Sequence, residues 1–387
     1  MPKVKKLLSL ALALLLLTAC GAPAPAPSET MVPPAIESPE TMAVTITTAP
    51  PILALPRYSD IRYYYWGDTQ TYAEGEYDRD WIHTYTFNEG TILGGAENLQ
   101  AQILAAGKNP GLGVRSLHAQ GITGEGVNVA IIDQNLLLNH PEFAGKITAY
   151  YDSGCEIPEG NGSMHAPAVV SLLVGETIGV APGAKVYFGA APSWKKDSAY
   201  FAECLNWIVA ENEKLPDGEK IRVVSVSAAP SGQSSPFSSN LEKWDEAVAA
   251  AKEAGILVLD CRENKPTGII GPAYYDRQDP ESPEKALGGF PTSGMSLSGM
   301  ICVPAAFRTV AEEYIEGQPS YQYDGIGGLS WAIPYAAGVL ALGWQVNPEL
   351  SGEQMVELLF ATCATGANGA GIIDPVAFIA AVQETVK

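Results

Sequence analysis

The sequence predicts an α/β protein of three layers around a central, mostly parallel sheet, on three observations. Residues 127–132 form an apolar, β-branched run that ends at Asp133, the pattern of a strand buried on both faces. Further short apolar runs at 184–188, 221–226 and 256–259 alternate with helical stretches at 198–212 and 240–255. Strands alternating with helices of that length imply a parallel sheet covered on both sides. Hydrophobic residues make up 47% of the 387 residues and charged ones only 17%, enough apolar surface for such a double-sided core.

Each element has a local reason. In 198–212, Phe201, Leu205 and Ile208 fall on one helical stripe. Residues 97–106 have helical character and stop near Gly107. From Ala168 the chain is small and apolar, as a buried helix requires, and a second such helix runs from about Ser330 to Trp344. The 39 glycines and 29 prolines supply turns and loops between these pieces. The apolar fraction excludes disorder throughout. With 23 Lys and Arg against 43 Asp and Glu, the formal charge is −20, and nucleic acid is excluded as a partner, because phosphate neutralisation needs basic residues in excess.

The N-terminus reads as an address. Lys3, Lys5 and Lys6 precede an apolar run from Leu7 to Leu17, about eleven residues and too short for a stable bilayer span. Leu17-Thr18-Ala19-Cys20 then resembles the lipobox of bacterial lipoproteins, which implies lipidation of Cys20 and attachment to the extracytoplasmic face of the cell membrane. Cleavage before Cys20 removes the three lysines and moves the charge from −20 to −23, so lipid rather than surface charge would have to hold the chain. Residues 21–56 hold nine prolines and read as an extended stalk. The expected organisation is a signal peptide at 1–19, lipidated Cys20 and stalk at 20–56, an N-terminal extension at 57–110 and the α/β domain at 111–387. In the extension, Ile61-Arg62-Tyr63-Tyr64-Tyr65-Trp66 suggests an exposed strand or a patch on the main domain. Cys155, Cys204, Cys261, Cys302 and Cys363 show no zinc or thioredoxin spacing and are expected mostly in the core.

In parallel sheets the site lies beyond the carboxyl ends of the strands, which is where Asp133 and Asn264 fall. A carboxylate ending a buried strand needs partners. His165 opens an apolar helix, and Ser330 follows Gly327-Gly328-Leu329 at the start of another, where unpaired N–H groups favour developing negative charge. An acid, a histidine and a turn serine supply orienter, base and nucleophile.

Here the sequence resembles the subtilisin-like serine proteases, the subtilases, from about Gly111 to Val386. Val129-Ala130-Ile131-Ile132-Asp133 is similar to the strand that delivers the family's aspartate, and His140-Pro141-Glu142-Phe143 to the step after it. Residues 165–175 fit the family's histidine helix, Gly179-Val180-Ala181-Pro182 the turn beyond, and Ser330-Trp331-Ala332-Ile333-Pro334 the serine helix. The order Asp, His, Ser is that of subtilisins. The resemblance implies a subtilisin-like fold and an Asp133–His165–Ser330 triad that hydrolyses extended peptides through an acyl-enzyme. It implies Asn264 as an oxyanion donor worth about 3 kcal/mol at the transition state. It also makes Ser227, Ala228 and Ala229 the edge on which substrate backbone pairs. Glu263 stands where the family usually has glycine, and with Arg262 it is expected to change one wall of the first specificity pocket, narrowing it or favouring a basic residue. No cofactor or metal is implied.

The chain departs from the family at Ala166-Pro167 after the histidine, at Leu329 before the serine and at Glu263 before Asn264, and residues 57–110 do not resemble the family's inhibitory prodomain. Two other readings stand beside the endopeptidase: an inert subtilase-fold lipoprotein that binds peptides or cell-envelope partners, and a solute-binding lipoprotein. The altered flanks and the missing prodomain favour the inert reading, but retention of all four catalytic positions together opposes it, and the solute-binding reading does not predict Asp133, His165, Ser330 and Asn264 in this arrangement.

Overall fold

The computed structural model describes residues 55–62, 69–73, 77–262 and 267–386. The signal peptide, Cys20, nearly all of the stalk and Tyr63–Trp66 lie outside the described residues; of the segment expected to be exposed, Ile61 is instead buried, its N–H bonded to the Thr86 carbonyl at 2.9 Å. The early elements are β1 (Gln70–Tyr72), α1 (Arg79–Ile82), β2 (Phe87–Asn88), β3 (Thr91–Leu93) and α2 (Glu97–Gly107). Then come α3 (Val114–His118), β4 (Asn128–Asp133), β5 (Ile147–Asp152), α4 (Ala166–Val174), β6 (Lys185–Ala190), α5 (Ser198–Lys214), β7 (Ile221–Val226), α6 (Leu241–Glu253) and β8 (Leu257–Asp260). Strands β5, β6, β4, β7 and β8 lie side by side in that order, every neighbour parallel.

Strand β4 occupies the middle because its side chains are apolar on both faces. Val129 and Ile131 enter one core cluster with α4, and Ala130 and Ile132 enter a second with α5 and α6. All four are fully buried, and full burial of a Val or Ile side chain is worth roughly 1.5–3 kcal/mol. The result is the three-layer α/β fold that the alternation predicts, with strands and helices within a few residues of their expected bounds. Strand β5 is an addition: its residues alternate between half-buried and exposed, as on a sheet edge.

Past β8 the chain forms β9 (Ile270–Tyr274), β10 (Leu287–Gly288), β11 (Ile301–Pro304), β12 (Arg308–Glu312) and β13 (Ser320–Asp324). It closes with α7 (Leu329–Val346), α8 (Gly352–Ala361), β14 (Ala364–Thr365), β15 (Gly371–Ile372) and α9 (Pro375–Glu384). β12 and β13 form an antiparallel hairpin, and β2 from the extension adds a third strand, with Phe87 opposite Tyr323 and Asn88 opposite Gln322. The extension carries its own apolar cluster of Ile82, Tyr85, Phe87, Leu93 and Ile103, closed by Tyr323. It is therefore joined to the α/β body by both sheet and core.

Helix α7 is long and apolar enough to span a bilayer, but it is 78% buried inside the protein and serves as its central core helix. It packs tightly on the turn after α4. A Cβ built on Gly338 would stand 2.7 Å from the Cβ of Val180, so only glycine allows this approach. All five described cysteines are free: Cys155, Cys204 and Cys302 are buried, Cys261 and Cys363 half-buried.

Candidate active site

Asp133 is the last residue of β4, and its side chain is 3% exposed. Its carboxylate accepts the backbone N–H of Gln134 at 2.8 Å, and His165 Nδ1 stands 2.8 and 2.9 Å from its two oxygens. A carboxylate can only accept, so Nδ1 carries the proton and Nε2 keeps the lone pair of a base. Burial pulls the imidazole pKa down. The Asp133 charge and hydrogen bond more than reverse this, and the net position lies above the ordinary 6.5. His165 sits at the N-cap of α4, with Pro167 in the first turn where its missing N–H costs nothing. Ala166 is fully buried, with its methyl in the core.

Ser330 is the second residue of α7. The turn before it needs Gly327, whose φ is +82° and whose added Cβ would lie 2.4 Å from the Ala305 carbonyl oxygen. Pro334 lies inside the helix. It has no N–H for the carbonyl four residues back, which belongs to Ser330. The Ser227 hydroxyl fills that vacancy, donating to Ser330 O at 2.7 Å. Ser330 Oγ in turn donates to Ser227 O at 3.2 Å, and no hydrogen bond joins it to His165 among the described residues. The Trp331 ring lies against the His165 imidazole, with centroids 5.2 Å apart and planes 30° apart.

Two cavities meet at His165. One of about 90 Å³ is lined by Asp133, His165, Ser193, Ser227 and Ala228. The other, of about 250 Å³, is lined by His165, Ser330, Trp331 and residues of the extension. The structure thus brings Asp133, His165, Ser330, Ser227 and Ala228 to one place. Ala229 follows on the same edge, where its carbonyl accepts the Ser235 hydroxyl at 2.7 Å. Glu263 and Asn264 lie outside the described residues. Arg262, just before them, is turned away from the cleft: its Nη1 donates to Asp245 at 2.6 Å and its Nε to Asp260 at 2.8 Å. His140, in the family step after the aspartate, is structural. Its Nδ1 accepts the Glu142 N–H at 3.1 Å, and its Nε2 donates to the Ser320 carbonyl at 3.1 Å.

Sequence reasoning missed Asp324. This residue, 7% exposed, accepts the Thr86 hydroxyl at 2.9 Å, the N–H groups of Ile326 and Gly327 at 2.9 and 2.8 Å, and Trp331 Nε1 at 2.7 Å. It ties the extension, the turn before Ser330 and the ring against His165 to one carboxylate. An aspartate just ahead of Gly325-Ile326-Gly327-Gly328 was the available signal, since Asp accepts from N–H groups two and three residues on.

A parallel-sheet fold with an acid–histidine pair and a helix-start serine at the strand ends defines the class of this protein. Residues 124–284 match the model of the Subtilase family. Serine protease AprX of Bacillus subtilis (strain 168) is 26% identical over 279 residues, covering 62% of this chain and 62% of the relative. M-protease of Shouchella clausii (strain KSM-K16) is 30% identical over 273 residues, covering 66% and 65%. The aligned part of this chain thus spans less than two thirds of either relative. Among solved structures, the prenylagaramide maturation protease PagA superposes with a TM-score of 0.51 at 17% identity, over 70% of this chain and 98% of the other. Fervidolysin from Fervidobacterium pennivorans gives 0.51 at 18% identity, over 74% and 46%. Residues 124–284 are thus similar to a subtilase-family domain, and the relatives aligned with the chain are serine proteases. The family match contains Asp133 and His165 and ends before Ser330.

Proposed function

We propose that this protein is a serine endopeptidase that cuts extended peptides through an acyl-enzyme. The observation that carries this reading is the His165 imidazole, held through Nδ1 by both oxygens of Asp133 and lining one cavity with Ser330. Asp133 fixes the tautomer, so Nε2 is the base. Ser330 Oγ leaves the Ser227 carbonyl, gives its proton to Nε2 and attacks the substrate carbonyl. The N–H of Ser330, at the start of an 18-residue helix, faces the developing oxyanion, with Asn264 as the second donor. His165 then protonates the leaving amine, and water, deprotonated by the same base, releases the acid. Residues 227–229 take the acyl half of the peptide as an added strand. Lipidation at Cys20, which rests on the sequence alone, would hold the enzyme at the outer face of the membrane. Metabolic labelling with a fatty acid, lost on Cys20→Ser, is its test.

The inert-binder reading has one observation in its favour: Ser330 Oγ rests on Ser227 O and not on His165. A fluorophosphonate probe separates the two. The endopeptidase reading requires covalent labelling at Ser330, absent in Ser330→Ala and slowed at least 10³-fold in His165→Ala. A folded protein that takes no label would overturn it.

A further inference from the structure

The two cavities divide a substrate at His165. If the acyl half lies along 227–229, as the proposed function holds, the segment leaving with the new amine enters the 250 Å³ cavity beside Ser330 and Trp331. The far wall of that cavity comes from the N-terminal extension, through Asp60, Arg62 and Thr86. This wall is built into the fold. Thr86 N donates to Ser59 O at 3.1 Å, Ile61 N donates to Thr86 O at 2.9 Å, and Thr86 Oγ1 holds Asp324.

We propose that the Asp60–Arg62 pair is a specificity determinant for the residue immediately after the scissile bond, favouring a basic side chain there and rejecting an acidic one. The Arg62 guanidinium is committed. Its Nε and Nη2 reach the two Asp60 oxygens at 2.9 and 2.6 Å, its Nη1 donates to Gln322, and its side chain is 7% exposed. The Asp60 carboxylate is 33% exposed and is the charge that an incoming side chain meets. Asp324 adds a second carboxylate to the wall. Two carboxylates, Asp60 and Asp324, thus share this wall with one guanidinium, so its formal charge is negative.

The test uses the full chain and two quenched-fluorescence peptides that differ only in Lys or Glu directly after the cleaved bond, with the cut site checked by mass spectrometry. The expected wild-type kcat/KM is about tenfold higher for Lys. Asp60→Asn, which releases Arg62, shrinks or inverts that ratio, whereas Arg62→Gln widens it. A purely structural role would lower both substrates together. A Lys-to-Glu exchange before the bond keeps its ratio in both variants. A flat ratio in wild type, or one that Asp60→Asn leaves in place, overturns the inference. If the fluorophosphonate probe still labels Ser330 in that case, the protease reading stands and only this inference falls. If neither probe nor peptide reacts, both fall.

Discussion

Replacing Asp324 by Asn keeps the shape and removes one acceptor. The amide oxygen can still serve Thr86, Ile326 and Gly327, which share Oδ1. The amide nitrogen then faces Trp331 Nε1, which donates at 2.7 Å in the native protein, so two donors meet. The flipped amide is worse, because it sets its N–H₂ against three donors. The change loses one charge-assisted hydrogen bond and buries an unpaired indole N–H, together about 2–4 kcal/mol. In a domain of this size that is a fall of several degrees in Tm. The kinetic effect should be disproportionate. Gly327 lies three residues before Ser330, Trp331 lies against His165, and a misplacement of about 1 Å at a reacting group costs about 10²-fold. Asp324→Asn is expected to slow fluorophosphonate labelling by about 10- to 100-fold at a temperature where the variant is fully folded. Thr86→Val removes one donor of four and is expected to cost about 1 kcal/mol, with labelling within about threefold of wild type. Labelling of Asp324→Asn at the wild-type rate, with Tm lowered, would refute the claim that this carboxylate positions the nucleophile turn.

The raised pKa of His165 sets a pH dependence. Under the proposed function the neutral imidazole is the base, so the acidic limb of kcat/KM should have its midpoint above 6.5, and in Asp133→Asn, where burial alone acts, below 6.5, with a rate loss of about 10⁴-fold. The same pair contributes stability that is fully present below 6.5 and fades as pH rises through the folded value, so denaturant titrations of wild type minus Asp133→Asn should show a difference shrinking toward high pH. Ser227→Ala leaves the Ser330 carbonyl without the donor that Pro334 cannot supply, a cost of about 1 kcal/mol in chemical denaturation. In a Pro334→Ala background, which restores the helical N–H, that cost should shrink by half or more.

The parts of the fold legible in the sequence are those whose signal is local. The run of Val129 to Ile132 shows a strand buried on both faces without reference to any other segment, and the stripe of Phe201, Leu205 and Ile208 shows a helix in the same way. Asp133, His165 and Ser330 were legible because Asp133 ends an apolar strand where a carboxylate is costly, and the other two stand at the starts of apolar helices, in an order that resembles one family. The hairpin of β12 and β13 was not, since its strands are short and mixed in polarity. Its third strand is two residues long and comes from more than two hundred residues upstream, as the Thr86–Asp324 bond across 238 positions shows. No local pattern encodes such a pairing. The Asp60–Arg62 wall was hidden for the same reason, because its meaning depends on lying across a cavity from Ser330.

Ser227 and Ser330 are stitched together in both directions, each hydroxyl bonded to the other's carbonyl. The rim that would receive a peptide and the helix that would attack it are thereby one mechanical body. A carbonyl oxygen has only two lone pairs, and a guest laid along this rim brings amide donors of its own to Ser227. One lone pair carries the Ser330 hydroxyl and the other can take a guest amide, so under the proposed function a peptide can dock while the tether persists, and drawing the hydroxyl away falls to His165.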